Sequence, residues 1–207
     1  MIIQWLGHAC FKITGNDESV IIDPFEDGSV PGYRPIREQA NMVLCSHDHH
    51  DHNAVGCVKL LPQIRGEFEV EKMATWHDNV QGAKRGPNTI HLLTSEGYRI
   101  AHLGDLGCSL TSQQIEALQD LDVLMIPVGG YFTIDADQAA RIVSQLRPRI
   151  TIPMHYHEGA LGYEVLSEVN AFTRQFEKVL WLTTDTLELS DELQDEIVVL
   201  DYPQNIN

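Results

Sequence analysis

The chain has 207 residues, 43% of them hydrophobic, with 14 Lys plus Arg against 30 Asp plus Glu and a formal charge of −16. That length and apolar content predict one domain over residues 1–207 with a sizeable core, and no Pro/Gly/Ser-rich linker divides it. The charge argues against a nucleic-acid partner, because phosphates would be repelled on average; Lys84-Arg85-Gly86 is the one basic hint. No apolar run approaches a membrane span. The opening MIIQWLGHACFKITG lacks the basic region and unbroken apolar core of a signal peptide. Cys10, Cys45, Cys57 and Cys108 are scattered without a CxxC pair, as reduced thiols would be. A cytoplasmic location is the expectation.

In chain order, IIQWL, CFKIT and SVIID read as short strands separated by turn residues such as Gly15-Asn16-Asp17. Residues 24–40, with Pro24, Pro31 and Pro35, read as a long loop. NMVLC (41–45) is a near-continuous apolar run, the pattern of a strand buried on both faces. Strands follow at about 67–76, then NTIHLLT and YRIAHL around a turn at Ser95-Glu96-Gly97. From there helices alternate with strands: helix in TSQQIEALQDL, strand in DVLMIPV, helix in DADQAARIVSQL, strand in RITIPM, helix in YEVLSEVNAFTRQF, and strands in KVLWLTT and EIVVLDY. Asp135 and Gln138 have the spacing of a capping box. The pattern predicts α/β layers, two sheets with helices outside.

The densest chemistry is SHDHHDH, residues 46–52, directly after a predicted buried strand. Loops at strand ends are where α/β proteins gather functional groups. Neutral imidazole and carboxylate are the donors that Zn, Mn and Fe ions accept. In an extended turn His47 and His49 can point one way and Asp51 and His52 another, so that one loop serves two adjacent cations. Further donors stand after apolar strands at His77, Asp105 and His155, and Gly104 and Gly107 allow close backbone approach at the second of these. His91 and His102 lie inside apolar runs and read as packed residues. His157 could be an outer residue of the site or surface.

The pattern HxHxDH, a distant His, Gly-Asp and a late His resembles the metallo-β-lactamase superfamily. GHACF, IIDP, HLGD and IPVGGYFTIDADQAARIV…LRPRITIPMHY resemble its branch of small metal-dependent hydrolases and L-ascorbate-6-phosphate lactonases. The resemblance implies a four-layer αββα sandwich with two mixed sheets. It implies that His47, His49 and His77 hold one divalent ion, that Asp51, His52 and His155 hold a second, and that Asp105 bridges them. His77 is the position whose placement varies most across the superfamily. Zinc is the first choice of ion, with manganese or iron as alternatives. Asp23 resembles the aspartate that supports the ligand loop, and His8 either lines the site or packs on that loop.

A water held by two cations loses a proton near neutral pH and becomes a nucleophile. Asp51 is the catalytic candidate that orients the water or receives its proton. The resulting expectation is a hydrolase of a small ester, lactone, amide or phosphoester. The alternatives are a mononuclear-iron oxidoreductase resembling the persulfide dioxygenases, or a nuclease of the same fold. The loop 24–40 and the segment 127–134 are expected to shape the pocket.

Overall fold

A computed structural model of the chain describes residues 1–64, 66–190, 192–194 and 196–203. Apart from one 3-10 turn (Val55–Cys57), the first half is strand: β1 (Ile2–Gly7), β2 (Cys10–Thr14), β3 (Ser19–Ile22), β4 (Gln39–Ala40), β5 (Met42–Leu44), β6 (Lys59–Leu60), β7 (Glu69–Trp76), β8 (Pro87–Ser95) and β9 (Tyr98–His102). Helices then alternate with strands: α1 (Ser112–Ala117), β10 (Val123–Pro127), α2 (Ala136–Leu146), β11 (Ile150–Met154) and α3 (Asn170–Thr173). The strands β12 (Val179–Trp181), β13 (Thr186–Glu188) and β14 (Glu196–Val199) complete the described elements.

Two sheets result. One has the order β13-β1-β2-β3-β5, the other β12-β14-β11-β10-β9-β8-β7, and β4 pairs with β6 alone. Both larger sheets are mixed: β3 and β5 are parallel beside an antiparallel meander, and β9, β10, β11, β14 and β12 run parallel beside the antiparallel β7–β8–β9. The crossovers through α1, α2 and α3 all move across the second sheet in one direction. Right-handed crossovers of that kind put all three helices on one face. The opposite face joins the first sheet in a single apolar cluster that runs from Ile3 and Phe11 through Ile90 and Leu93 to Met125 and Ile152. This is the α/β sandwich with mixed sheets that the sequence predicts.

The local rules hold where they were strongest. β10 (VLMIP) and β11 (ITIPM) are buried at every residue, as central parallel strands should be. The turn between β8 and β9 places Glu96 at φ 53° and Gly97 at φ 82°, the two left-handed residues of a tight hairpin. Asp135 accepts from Gln138 N at 2.8 Å and Gln138 Oε1 from Asp135 N at 3.0 Å, closing the capping box of α2.

Three expectations need correction. NMVLC is not buried on both faces: β5 is the edge strand of its sheet, and Met42 and Val43 are only half-buried. TSQQIEALQDL supplies only the six-residue α1. YEVLSEVNAFTRQF is helical only over Asn170–Thr173. Ahead of it the chain is tied sideways instead: Ser167 N donates to Gly129 O at 2.8 Å and His157 N to Ser167 O at 3.1 Å. These cross-chain bonds claim the groups an α-helix would have needed.

Strand direction sets where function can sit. β1 and β3 run together because both oppose β2, and β5 follows β3. β7 and β9 run together because both oppose β8, and β10 and β11 follow β9. His8, Asp23, residues 46–52, His77, Asp105 and His155 all come directly after the carboxyl ends of these strands.

Candidate metal centre

The residues predicted from sequence converge. His47, His49 and His77 each place a donor atom within 4.8 Å of the others, as do His8, Asp51, His52 and His155, and as do His47, His52 and Asp105. Asp105 is the hub. Its Oδ2 lies 3.2 Å from His77 Nε2, 3.2 Å from His155 Nε2, 3.4 Å from His52 Nε2 and 3.9 Å from His47 Nε2. Its Oδ1 is buried and has no protein partner among the described residues. His8, open in the sequence reading, joins the second group: its buried Nε2 is 3.4 Å from Asp51 Oδ2. Of the other histidines in the cluster region, His50 turns outward to Glu26. His91 and His102 are buried as expected, and each contacts a loop carbonyl, Cys45 O at 3.0 Å and Ala9 O at 2.8 Å. His157 joins no donor group among the described residues.

A second layer fixes how the imidazoles face. Asp23 accepts from Ser46 N at 2.6 Å, from Ser46 Oγ at 2.6 Å and from His52 Nδ1 at 2.9 Å. Because the Ser46 hydroxyl hydrogen is given to Asp23, the 2.9 Å contact between Ser46 Oγ and His47 Nδ1 requires the hydrogen on His47 Nδ1. Both rings thus carry hydrogen on the outer nitrogen and direct Nε2 inward, where neither His47 Nε2 nor His52 Nε2 finds a hydrogen-bond partner among the described residues. Inward lone pairs fixed by outer hydrogen bonds are the arrangement a cation requires of histidine. Asp105 is aimed in the same way by Asn88, whose Oδ1 accepts from Asp105 N at 2.9 Å while its Nδ2 donates to Leu103 O at 2.9 Å. Sequence reasoning missed Ser46 and Asn88; their residue types occur too widely to signal such a role.

The backbone is under strain here. His8, Asp23 and His155 adopt φ of 55°, 50° and 54°, a region non-glycine residues seldom occupy. Gly107 is required by close approach: a Cβ there would meet His77 C at 2.3 Å and Asp78 N at 2.4 Å.

The electrostatics suit a cation. Burial opposes charge on both Asp105 and His52, yet each is outweighed by opposite partners. His155 and His52 hold the Asp105 carboxyl well below its ordinary range, and Asp105 and Asp23 hold His52 well above its own, so the two carboxylates favour positive charge at His52, which a bound cation would supply in place of a second proton. Burial, with His52 alongside, pushes His47 down to about 3, which keeps it neutral and able to donate a lone pair. The donors therefore fit a site for divalent ions: buried imidazoles with free inward nitrogens around a carboxylate with an unused oxygen.

A cleft of about 330 Å³ opens onto these groups, lined by His49, Asp51, His77, Arg85, Asp105, Phe132, His155 and Tyr163. Phe132 belongs to the segment 127–134 expected to shape it. No residue of the loop 24–40 lines it; that loop acts from behind, where Ser29 O lies 2.9 Å from the Tyr163 hydroxyl. Arg85 stood out in the sequence only as part of the basic Lys84-Arg85-Gly86, not as a cleft residue, and Tyr163 fell in the segment read as helix. The Tyr163 hydroxyl is also 3.3 Å from Asp51 Oδ2, the oxygen His8 approaches.

Comparison with known proteins agrees with this geometry. A family model described as the Beta-lactamase superfamily domain matches residues 2–155. A UPF0173 metal-dependent hydrolase of Archaeoglobus fulgidus is 29% identical over 194 residues, 76% of this chain and 84% of that protein. One from Desulforamulus reducens is 26% identical, over 94% of this chain and all of its own length. Among solved structures, a Thermotoga maritima chain named for a Zn-dependent hydrolase of the metallo-β-lactamase superfamily has a TM-score of 0.77 and 30% identity, covering 96% of this chain and 97% of its own. Fold, donor geometry and sequence agree, and the chain belongs to the metallo-β-lactamase superfamily.

Proposed function

We propose that the chain is a hydrolase that uses two divalent cations, zinc foremost, on a small ester, lactone, amide or phosphoester. The observation that carries this reading is the pair of donor groups, His47/His49/His77 and Asp51/His52/His155, with Asp105 Oδ2 within 4 Å of four of their imidazoles and Oδ1 still free. When bound, two cations would supply acidity to a water and polarise the substrate's oxygen. The protein's own contribution is positional. Asp51 presents Oδ2 between His8 and Tyr163, placed to orient or accept the proton of an attacking water at the mouth of the cleft. Asp23 and Asn88 hold the donors in place so that little reorganisation is left for binding. A cleft near the lower end of the size range for small-molecule sites supports a small substrate over a polymer. The four cysteines, all free thiols, support assignment to the reducing cytoplasm.

The deciding experiment is elemental analysis of the purified protein together with hydrolysis assays on lactones, carboxylic esters, thioesters and phosphodiesters. Close to two metals per chain and metal-dependent turnover of one class are expected. A reproducible single iron with no hydrolysis would replace this reading with the dioxygenase one.

A further inference from the structure

Arg85 has no role in holding the metal centre, yet the chain goes to some length to place it on the wall of the same cleft. His77 is followed by a loop closed upon the Asp78 carboxylate. Oδ1 accepts from Val80 N at 2.9 Å and Gly82 N at 2.8 Å, and Oδ2 from Lys84 N and Arg85 N at 2.8 Å each. Gly82, at φ 81°, lies flat on the Trp76 ring, where a Cβ would come within 2.6 Å of Cε3. The loop is thus a compact ring that delivers Arg85 to one position.

There the guanidinium lies 5.5 Å over the Phe132 ring, and Nη2 donates to Tyr131 O at 3.0 Å. That uses one of its five N–H donors; no other described residue accepts from its side chain, and it forms no ion pair among the described residues. Lys12, Arg37 and Arg149, by contrast, each have an acidic partner. Arg99 is likewise half-buried with a carbonyl, Ala117 O at 2.8 Å, as its side-chain partner; what sets Arg85 apart is that it stands in the wall of the cleft onto which the metal donors open. Phe132 continues the wall toward the metal end, its ring 6.4 Å from His155 and 5.9 Å from Tyr163.

We propose that Arg85 is the specificity residue of the cleft. It binds an oxyanion, carboxylate or phosphate, at the end of the substrate remote from the bond that is cleaved, while the connecting carbon atoms lie along Phe132. The planar fork of arginine matches two oxygens of such a group at once. This deepens the hydrolase reading and rests on it for the word substrate, so the test measures binding, not turnover.

The zinc-loaded full-length protein is titrated calorimetrically with succinate, glutarate and adipate. Each is compared with its methyl-ended counterpart, butanoate, pentanoate or hexanoate, and with the ω-phosphono acid of the same length. Every probe offers one carboxylate to the metal end; only the diacids and phosphono acids offer a second anion at a distance. Two equivalent ends alone give a diacid a twofold advantage. At one chain length or more, the second anion should improve affinity at least tenfold, and the tighter of the two families identifies the natural group. Arg85→Met should reduce that preference to about twofold for the diacids and to near parity for the phosphono acids, with the affinity for the methyl-ended acid, the metal content and Tm held. Arg85→Lys should keep part of it. Equal or absent binding at every length, or a preference that survives Arg85→Met, overturns the proposal. Failure of every ester to be hydrolysed would count against the hydrolase reading while leaving the Arg85 preference standing.

Discussion

At Asp105 the link between the two donor groups depends on one side chain. A carboxylate has two oxygens and a charge, so it can link two cations a few ångströms apart and offset their repulsion, which no imidazole can do. His47, His49 and His77 form a donor group without it; Asp51, His52 and His155, with His8 beside them, would hold a second cation against an unscreened neighbour. Asp105→Ala should therefore weaken the second site at least about tenfold more than the first. Two tightly held metals in a merely destabilised mutant, seen by elemental analysis and thermal melting, would reduce Asp105 to a turn former. Asp51→Asn keeps the shape but removes the charge and the proton acceptor; with the protein saturated with metal to offset the weaker ligand, turnover should fall by about 10²–10⁴. Near wild-type kcat would end that role. These aspartates and histidines were legible because donor chemistry is confined to few residue types and the motif packs four of its seven positions into six residues. Arg85, Tyr163 and Asn88 were not, since nothing in a lone Arg, Tyr or Asn announces what the fold will bring beside it.

The elements were legible where local and tertiary preferences agree. The capping box of α2 and the buried runs of β10 and β11 are local signals that nothing in the fold opposes. Residues 163–176 show the opposite case. Leu166, Val169 and Phe172 are buried at near-helical spacing, yet Val165 is 53% exposed and the backbone is pinned to Gly129 and His157. Burial of the same side chains was achieved without the helix, and periodicity alone cannot distinguish the two. That irregular stretch delivers Tyr163 to Asp51, so the failed expectation falls at the site, where such conflicts concentrate. Contact between elements has its own weak point at Gly107, wedged against the end of β7. Gly107→Ala forces the Asp105 loop and His77 apart and should cost about 1–3 kcal/mol of stability, measurable by denaturant unfolding, and lower metal content as well. A mutant with wild-type stability and both metals would show that the loops can part without consequence.

Across the molecule, the donors come from both sheets: His8, Asp51 and the other cluster residues follow strands of the first, while His77, Asp105 and His155 follow strands of the second. Cations held there would join the two layers at one rim. Chelation should therefore lower the Tm of the whole fold, by the equivalent of about 4 kcal/mol if the metal is present at a thousandfold over its Kd. An unchanged melting curve would mean the sheets hold together unaided. The charge of −16 is spread over the same molecule, and gel-shift titration should find weak or no binding to RNA or DNA. Tight, salt-sensitive binding would revive the nuclease alternative. No helix of the described residues is long and apolar enough to cross a membrane.

The ring around Asp78 has a bearing on how such a protein can change over generations. Its four bonds are all to backbone N–H groups, which every residue except proline supplies. The loop therefore keeps its shape with any residue but proline at position 85. His77, the site residue beside it, is anchored through its own backbone, with N donating to Gly86 O at 3.1 Å. A single codon change at 85 can exchange one substrate preference for another and leave every metal donor where it was. Descendants of one ancestral hydrolase can diverge in diet without ever passing through an inactive intermediate.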